Sequence, residues 1–326
     1  MEINFPFMYQ AILSSSDQFL EGLKIAKQVV LPKGPFNSII MTGMGGSSLV
    51  ADLVNDILGH PCLSIVRDYG LPSWVGKKDL VICASYSGNT EETLFSFEET
   101  IKKNIPLIVL AHGGKLKEKA KEKNIPFIQI PESLQPRLAT GYFFSSLIYI
   151  LSTVREIKWD VQQTLGDLSL FLKQRLKAQE EIGKQLAKEI KSFVPLIYAP
   201  TDLFGVARIW KIKMNENAKV QSFFNTFPEV NHNEMVGFTQ TLMQTAIIYL
   251  KKKSMHPQIF KRMQVMEGLL KYKMPFFHVE ARGSNLLQES FDLLSIADFT
   301  TYFLAQNYGI DPVPVHLVEE FKEKLK

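Results

Sequence analysis

Two short turns rich in glycine and hydroxyl side chains are the parts of this sequence best suited to hold a ligand. The first, Thr42-Gly43-Met44-Gly45-Gly46-Ser47-Ser48, follows the apolar run Ser38-Ile39-Ile40-Met41. The second, Ser85-Tyr86-Ser87-Gly88-Asn89-Thr90, follows Leu80-Val81-Ile82-Cys83-Ala84. Glycines let the backbone approach a ligand closely, the first N–H groups of a following helix lack intrahelical partners, and hydroxyls add neutral donors. That is the chemistry of an oxyanion cradle, so the ligand read from the two turns carries a phosphate. Either turn alone also suits an ordinary strand-to-helix loop with a Ser or Thr N-cap. No Lys or Arg lies within either turn. The first also lacks the lysine of a P-loop, and its glycines are wrongly spaced for a dinucleotide fingerprint. A phosphomonoester held by helix dipoles and hydroxyls fits; a triphosphate finds no lysine clamp.

Three further residues are candidates for proton transfer and charge stabilisation. Steps of three and four residues place Glu216 on one helical face with Val206, Ile209, Ile212 and Val220. A carboxylate on an apolar stripe is costly unless paired or functional, and desolvation makes it a better base near neutral pH. The competing reading pairs Glu216 with Lys213 or Lys219. His232 lies in the polar loop Pro228-Glu229-Val230-Asn231-His232-Asn233-Glu234, where it exchanges protons near neutral pH or is merely exposed. Arg137 opens a helix after a strand; its guanidinium either reaches the cradle or makes a surface ion pair.

The elements that position these residues alternate. Residues 1–35 read as an N-terminal helical segment with Ile12, Phe19, Leu23 and Val30 on its apolar side, stopped by Pro32-Lys33-Gly34-Pro35. Strands are expected at 37–42, 62–67, 80–84, 106–111 and 126–130, with helices near 47–58, 90–103 and 114–123. A closing helix over 137–156 and a long amphipathic one over 160–192 follow. The pattern then restarts, with strands at 194–199, 221–225, 244–250 and 276–281 and helices at 203–219, 257–272, 285–307 and 315–325. Such alternation predicts an α/β protein of two doubly wound parallel-sheet subdomains, flavodoxin-like, with helices on both faces and ligands at the carboxyl ends of the strands. The domains are drawn at 1–156 and 157–326. Where the first half has its glycine- and serine-rich turns, the second has Ala199-Pro200-Thr201-Asp202-Leu203 and Lys251-Lys252-Lys253-Ser254. These make poor cradles, so one phosphate site is expected, built by the first half.

Composition sets limits on the function. The 326 residues, 46% of them apolar, suffice for two real cores, and a net charge of +4 is too mild to argue for nucleic acid. The run Lys251-Lys252-Lys253 reads as a solvated strand end. Cys62 and Cys83 sit among apolar neighbours and read as core thiols. No signal segment precedes the first helix and no apolar stretch reaches the roughly 18 residues of a membrane span, so a cytoplasmic protein is expected. The six histidines lack ligand spacing such as H-E-x-x-H, and no metal or other cofactor is expected.

Taken in order, several segments resemble one family. They are Gly43-Met44-Gly45-Gly46-Ser47, Arg67-Asp68-Tyr69, Ser85-Tyr86-Ser87-Gly88-Asn89-Thr90-Glu91-Glu92-Thr93, Pro136-Arg137, Asn215-Glu216-Asn217-Ala218-Lys219, Pro228-Glu229 with Asn231-His232-Asn233-Glu234, and Asp311-Pro312 before a lysine-bearing terminal helix. The sequence is similar over its whole length to the bifunctional phosphoglucose/phosphomannose isomerases, built from two sugar isomerase (SIS) domains. The resemblance implies that Gly46, Ser47, Ser48, Ser85, Ser87 and Thr90 bind a sugar phosphate. It implies that Glu216 moves a proton between C1 and C2 through an enediolate, that Arg137 stabilises the negative charge, and that His232 helps open the ring. A lysine of the terminal helix completes the family's site, either Lys322 or Lys324, with Lys322 preferred by its distance from the C-terminus. In the family the histidine reaches the neighbouring subunit's site, which implies a homodimer. Val313 stands where family members often carry Thr. A non-catalytic sugar-phosphate sensor would use the same cradle, but such proteins usually add a DNA-binding head, and a sensor has no need of Glu216 on an apolar stripe.

Overall fold

The computed structural model describes residues 5–132, 134–154, 157–240 and 242–325. The chain divides into two compact units. One is Ser14–Lys173, the N-terminal unit; the other is Gln174–Lys326 with Met1–Leu13, the C-terminal unit. Helix α1 (Pro6–Leu13) belongs to the latter.

The N-terminal unit runs α2 (Gln18–Ala26), β1 (Ile39–Thr42), α3 (Leu49–Leu58), β2 (Ser64–Val66), β3 (Leu80–Ala84), α4 (Glu91–Lys102), β4 (Leu107–Ala111), α5 (Gly114–Glu122), β5 (Phe127–Gln129) and α6 (Thr140–Thr153). All five strands are parallel, in the order β2-β1-β3-β4-β5. Every residue of β1, β3 and β4 is buried, as expected when crossover helices cover both faces. One face carries Ile40, Val81, Cys83 and Val109 against Phe97 of α4 and Leu116 and Ala120 of α5. Helices α2, α3 and α6 pack together as the other layer. Each fully buried aliphatic or aromatic side chain contributes about 1.5–3 kcal/mol.

Helix α7 (Val161–Glu189) spans the boundary in sequence. The C-terminal unit continues with β6 (Val194–Pro200), α8 (Phe204–Glu216), β7 (Phe223–Phe227), the single turn α9 (Glu234–Gly237), β8 (Thr245–Lys251), α10 (Pro257–Leu270), β9 (Phe276–Glu280), α11 (Leu286–Tyr308) and α12 (His316–Lys324). Its four strands are parallel in the order β7-β6-β8-β9. Tyr198, Phe227, Ile247 and Tyr249 pack with Met263, Met266 and Leu270 of α10. Helix α8 lies on α11, where the Trp210 indole N–H donates to the Leu293 carbonyl at 3.0 Å. The doubly wound α/β architecture read from the alternating pattern is the architecture observed.

Three local expectations need correcting. The N-terminal segment is not one helix: a 3-10 turn at Ser15–Asp17 separates α1 from α2, at a run of small polar residues, Ser14-Ser15-Ser16-Asp17, of low helix propensity. Helix ends at Ala26, so Val30 is 88% exposed while Ile12, Phe19 and Leu23 are buried. Helix α8 stops at Glu216, not 219, and β7 begins at Phe223, not 221. Lys219 adopts a left-handed φ of 58°, and Asn215 Nδ2 donates to the Val220 carbonyl at 2.7 Å, so residues 217–222 form a reversal where helix and strand were expected. Cys83 is buried, but Cys62 is only half-buried, its Sγ 3.5 Å from Asn55 Oδ1. Residues 1–4 of the expected first helix and 155–156 of the closing helix, including the residue before the domain boundary drawn at 156/157, lie outside the described residues.

Candidate active site

In a sheet ordered β2-β1-β3-β4-β5 the winding direction reverses between β1 and β3, and beyond the carboxyl ends of the strands at such a reversal is where doubly wound sheets bind their ligands. Both glycine- and serine-rich turns leave from there. After β1 the chain makes a 3-10 turn, Gly45–Ser48, into α3; after β3 it makes the turn Ser85–Thr90 into α4.

The two turns are hydrogen-bonded to each other. Ser47 Oγ accepts from the Tyr86 amide at 2.8 Å, which leaves its own proton to donate. Ser85 Oγ and Thr90 Oγ1 share a bond at 2.8 Å, and the Gly88 amide donates to Ser85 Oγ at 3.1 Å. The Asn89 amide donates to Ser87 Oγ at 3.2 Å. Ser47, Ser48 and Ser85 are buried, Thr90 is half-buried, and Ser87 is exposed at the rim. Gly88 has φ of 68°, and a Cβ there would lie 1.8 Å from the Gly113 carbonyl oxygen, so only glycine closes this turn against the end of β4.

Arg137 belongs to a 3-10 turn, Pro136–Leu138, packed on the first cradle turn. A Cβ on Gly46 would come within 2.9 Å of the Arg137 nitrogen and of the Pro136 carbonyl carbon. Glycine at 46 is therefore what admits this close approach. Arg137 is 1% exposed and its Nη1 lies 3.5 Å from Gln135 Oε1, so it is an interior cation beside the cradle and not a surface group.

Two residues near the cradle were not singled out as site candidates from the sequence. Arg67 Nε donates to Ser48 Oγ at 3.1 Å while its Nη2 pairs with Asp52 at 2.6 Å. A guanidinium thus borders the first turn, although none lies within it. His112 donates its amide to the Tyr86 carbonyl at 2.9 Å, and its buried Nδ1 has no hydrogen-bond partner. Each follows a strand adjacent to β1 or β3 by one residue, and strand adjacency was the signal that locates them.

The remaining candidates belong to the C-terminal unit, on three separate elements. Glu216 is the last residue of α8 and is half-buried. Lys213 does not face it as a partner of first choice: its ammonium pairs with Asp298 of α11. Lys219 Nζ donates to the Glu216 backbone carbonyl and, at 3.2 Å, to that of Pro312, tying the segment before α12 to the end of α8. Asn217 Nδ2 donates to Thr301 Oγ1 at 2.9 Å in the interior. His232 is exposed after the 3-10 turn Glu229–Asn231. Its loop is held by Glu234, which accepts from the Tyr198 hydroxyl and from Asn225 Nδ2 at 2.6 Å. Burial, reinforced by the Glu234 carboxylate, pushes the Tyr198 phenol well above its ordinary range, so it stays a donor. Lys322 is exposed on α12, and Lys324 on the same helix pairs with Glu320 at 2.5 Å. Among the described residues no group of three or more His, Cys, Asp or Glu side chains is arranged to hold a metal ion, and no helix is long and apolar enough to cross a membrane.

Residues 179–325 match the family described as the bacterial phospho-glucose isomerase C-terminal SIS domain. The chain is 32% identical over 326 residues to the bifunctional phosphoglucose/phosphomannose isomerase of Aquifex aeolicus, covering 98% of each. It is 33% identical over 313 residues to that of Thermoplasma acidophilum, covering 94% of this chain and 97% of the relative. Among solved structures, the tagatose-6-phosphate ketose/aldose isomerase from Escherichia coli shares the fold, with a TM-score of 0.70 over 94% of each chain at 15% identity. With a doubly wound fold, paired cradle turns and similarity over its full length, this chain belongs to the bifunctional phosphoglucose/phosphomannose isomerase family.

Proposed function

We propose that the chain is an aldose–ketose isomerase, an intramolecular oxidoreductase interconverting fructose 6-phosphate with glucose 6-phosphate and mannose 6-phosphate. The observation that carries this reading is the pair of hydroxyl-bearing turns locked together through Ser47 and Tyr86, with the buried Arg137 packed against Gly46, in a full-length relative of such isomerases. In the mechanism proposed, Gly46, Ser47, Ser48, Ser85, Ser87 and Thr90 hold the sugar phosphate as a handle, whose binding energy orients the reacting carbons.

His232 protonates the ring oxygen as its bond to the anomeric carbon breaks, and the anomeric hydroxyl gives up its proton to solvent to become the carbonyl. Glu216 then takes the proton from the carbon next to the carbonyl, giving a cis-enediolate, and returns it to the former carbonyl carbon, while the hydroxyl proton of the carbon first deprotonated passes to the former carbonyl oxygen. Arg137 stabilises the oxyanion, and Lys322 of the terminal helix adds a second cation. No cofactor takes part. Residues 1–156 act as the phosphate-binding SIS domain and 157–326 as the domain carrying the carboxylate, the histidine loop and the terminal helix. The enzyme works as a homodimer in the cytoplasm, with His232 serving the neighbouring subunit's site.

Coupled assays for fructose 6-phosphate formation from each aldose, run on the purified protein, test the activity. Turnover of glucose 6-phosphate and mannose 6-phosphate is expected; inactivity toward both contradicts the proposal.

A further inference from the structure

Beyond that reaction, we propose that the C-terminal unit carries a second ligand site, for a nucleoside diphosphate or a ligand of the same chemistry, in the cavity at the carboxyl ends of β8 and β9. The order β7-β6-β8-β9 repeats β2-β1-β3-β4, so β8 is the counterpart of β3. The loop after β8 corresponds to the serine turn of the cradle, and α10 corresponds to α4. Read in sequence, Lys251-Lys252-Lys253 is a solvated strand end. In the structure the three lysines line a cavity of about 620 Å³ together with Arg282, Met255 and Phe260. That volume lies within the ~300–1,000 Å³ of small-molecule sites.

The charges facing this cavity are unevenly satisfied. Lys252 is paired with Asp202 at 2.6 Å, its side chain 8% exposed, and forms part of the wall. Among the described residues no carboxylate comes within ion-pair distance of Lys251 or Lys253. Arg282 Nη2 stands 4.0 Å from Glu280, the one carboxylate lining the cavity. Two lysines and a loosely held guanidinium therefore converge beside the N-terminus of the 14-residue helix α10, whose dipole adds positive potential. Set against Glu280, Lys251, Lys253 and Arg282 leave a net charge of about +2, to which the helix terminus adds about +0.5; one phosphomonoester, at about −1.5 to −2, leaves part of this unmatched and a diphosphate covers it.

The site is built in advance. The Lys253 amide donates to Glu289 Oε1 at 2.8 Å and the Arg282 amide donates to Asp292 Oδ2 at 2.8 Å, both carboxylates being buried. The Ala281 amide donates to the Lys251 carbonyl at 2.8 Å. These bonds fix the two loops that carry the cations, so little ordering is left for a ligand to impose. Phe260, 42% exposed with Lys251 Nζ 5.7 Å from its ring centroid, and Met255 offer a flat apolar wall beside the cations. A base or similar planar body stacks on such a wall, which is why a nucleotide fits better than pyrophosphate alone. A second site of this kind departs from the expectation of a single phosphate site per chain: serines would hold a monoester in one unit and lysines a diphosphate in the other.

Isothermal titration calorimetry on the full chain, with fructose 6-phosphate saturating, tests this with ADP, inorganic pyrophosphate and adenosine as probes. ADP is expected to bind once per chain, pyrophosphate about tenfold more weakly, and adenosine without measurable heat at about 1 mM. Lys253→Glu and Arg282→Glu, both at exposed positions, should each weaken ADP by about tenfold or more while retaining wild-type melting temperature and sugar isomerisation. Failure of ADP to saturate below about 5 mM overturns the proposal. So does an ADP affinity indifferent to both charge reversals, or displacement of ADP by fructose 6-phosphate, which would place it in the serine cradle. Pyrophosphate binding as tightly as ADP overturns the nucleotide assignment.

Discussion

Ser47 Oγ accepts the amide hydrogen of Tyr86 at 2.8 Å, joining positions 39 residues apart in sequence. The first cradle turn is therefore anchored inside the second, and the hydroxyl proton of Ser47 is left to donate outward. Ser47→Ala should leave a buried amide unsatisfied and cost about 1–3 kcal/mol in urea unfolding, with KM for fructose 6-phosphate raised about tenfold. Unchanged stability and KM would remove Ser47 from the cradle.

Gly88 gives a sharper steric test. A Cβ at this left-handed position meets the Gly113 carbonyl oxygen at 1.8 Å, whereas one on Gly113 meets nothing within 4 Å. Gly88→Ala is expected to cost about 3 kcal/mol or more, and Gly113→Ala about 0.5 kcal/mol or less, by chemical denaturation.

The Lys213 ammonium is buried against Asp298 and fastens α8, which ends at Glu216, to α11. Lys213→Ala breaks this largely buried ion pair and should cost about 3 kcal/mol. Replacing both by similarly sized apolar residues, Lys213→Met with Asp298→Leu, should recover much of that loss in the same denaturation measurement.

Cys83 predicts a response to alkali. Burial pushes its thiol from 9.0 up to about 12, slightly opposed by the hydrogen bond from Thr42 Oγ1. Between these values the unfolded chain has lost a proton that the folded chain keeps, so the folded state binds more protons and stability falls as pH rises. The slope from this thiol fades below about pH 8, reaches about half its full size near pH 9 and approaches about 1.4 kcal/mol per pH unit above about pH 10. Comparing urea midpoints of wild type and Cys83→Ala from pH 8 to about 10.5 should show the steeper decline in wild type. A thiol reagent should modify half-buried Cys62 first.

Much of the fold was legible because the central strands are short, wholly apolar runs. Ile39-Ile40-Met41, Leu80–Ala84 and Leu107–Ala111 are buried on both faces, and no other element accommodates them at that length. Both cradle turns were legible for the same reason, since each directly follows such a strand. Less legible were features fixed by tertiary contacts. The reversal at 217–222 depends on Lys219 adopting a left-handed conformation, and the break at Ser15–Asp17 falls in a short polar run inside an otherwise helical pattern. Arg67 and His112 border the cradle only through strand adjacency, which spacing along the chain does not display. Glu216 lay on the expected helix, but the end of that helix came three residues early, leaving the carboxylate half-buried at a terminus. The lysine run after β8 acquired meaning only when Arg282 and Phe260, far along the chain, were seen around the same cavity.

The proposed proton transfer by Glu216 is tested most directly by fructose 6-phosphate turnover in Glu216→Gln, with deuterium uptake from solvent at the sugar's C1 and C2 followed in parallel. In this variant kcat is expected to fall by about 10²–10⁴ and exchange to be lost with it, while KM stays within about threefold of wild type. Near wild-type turnover, or exchange that persists undiminished in the variant, would contradict it.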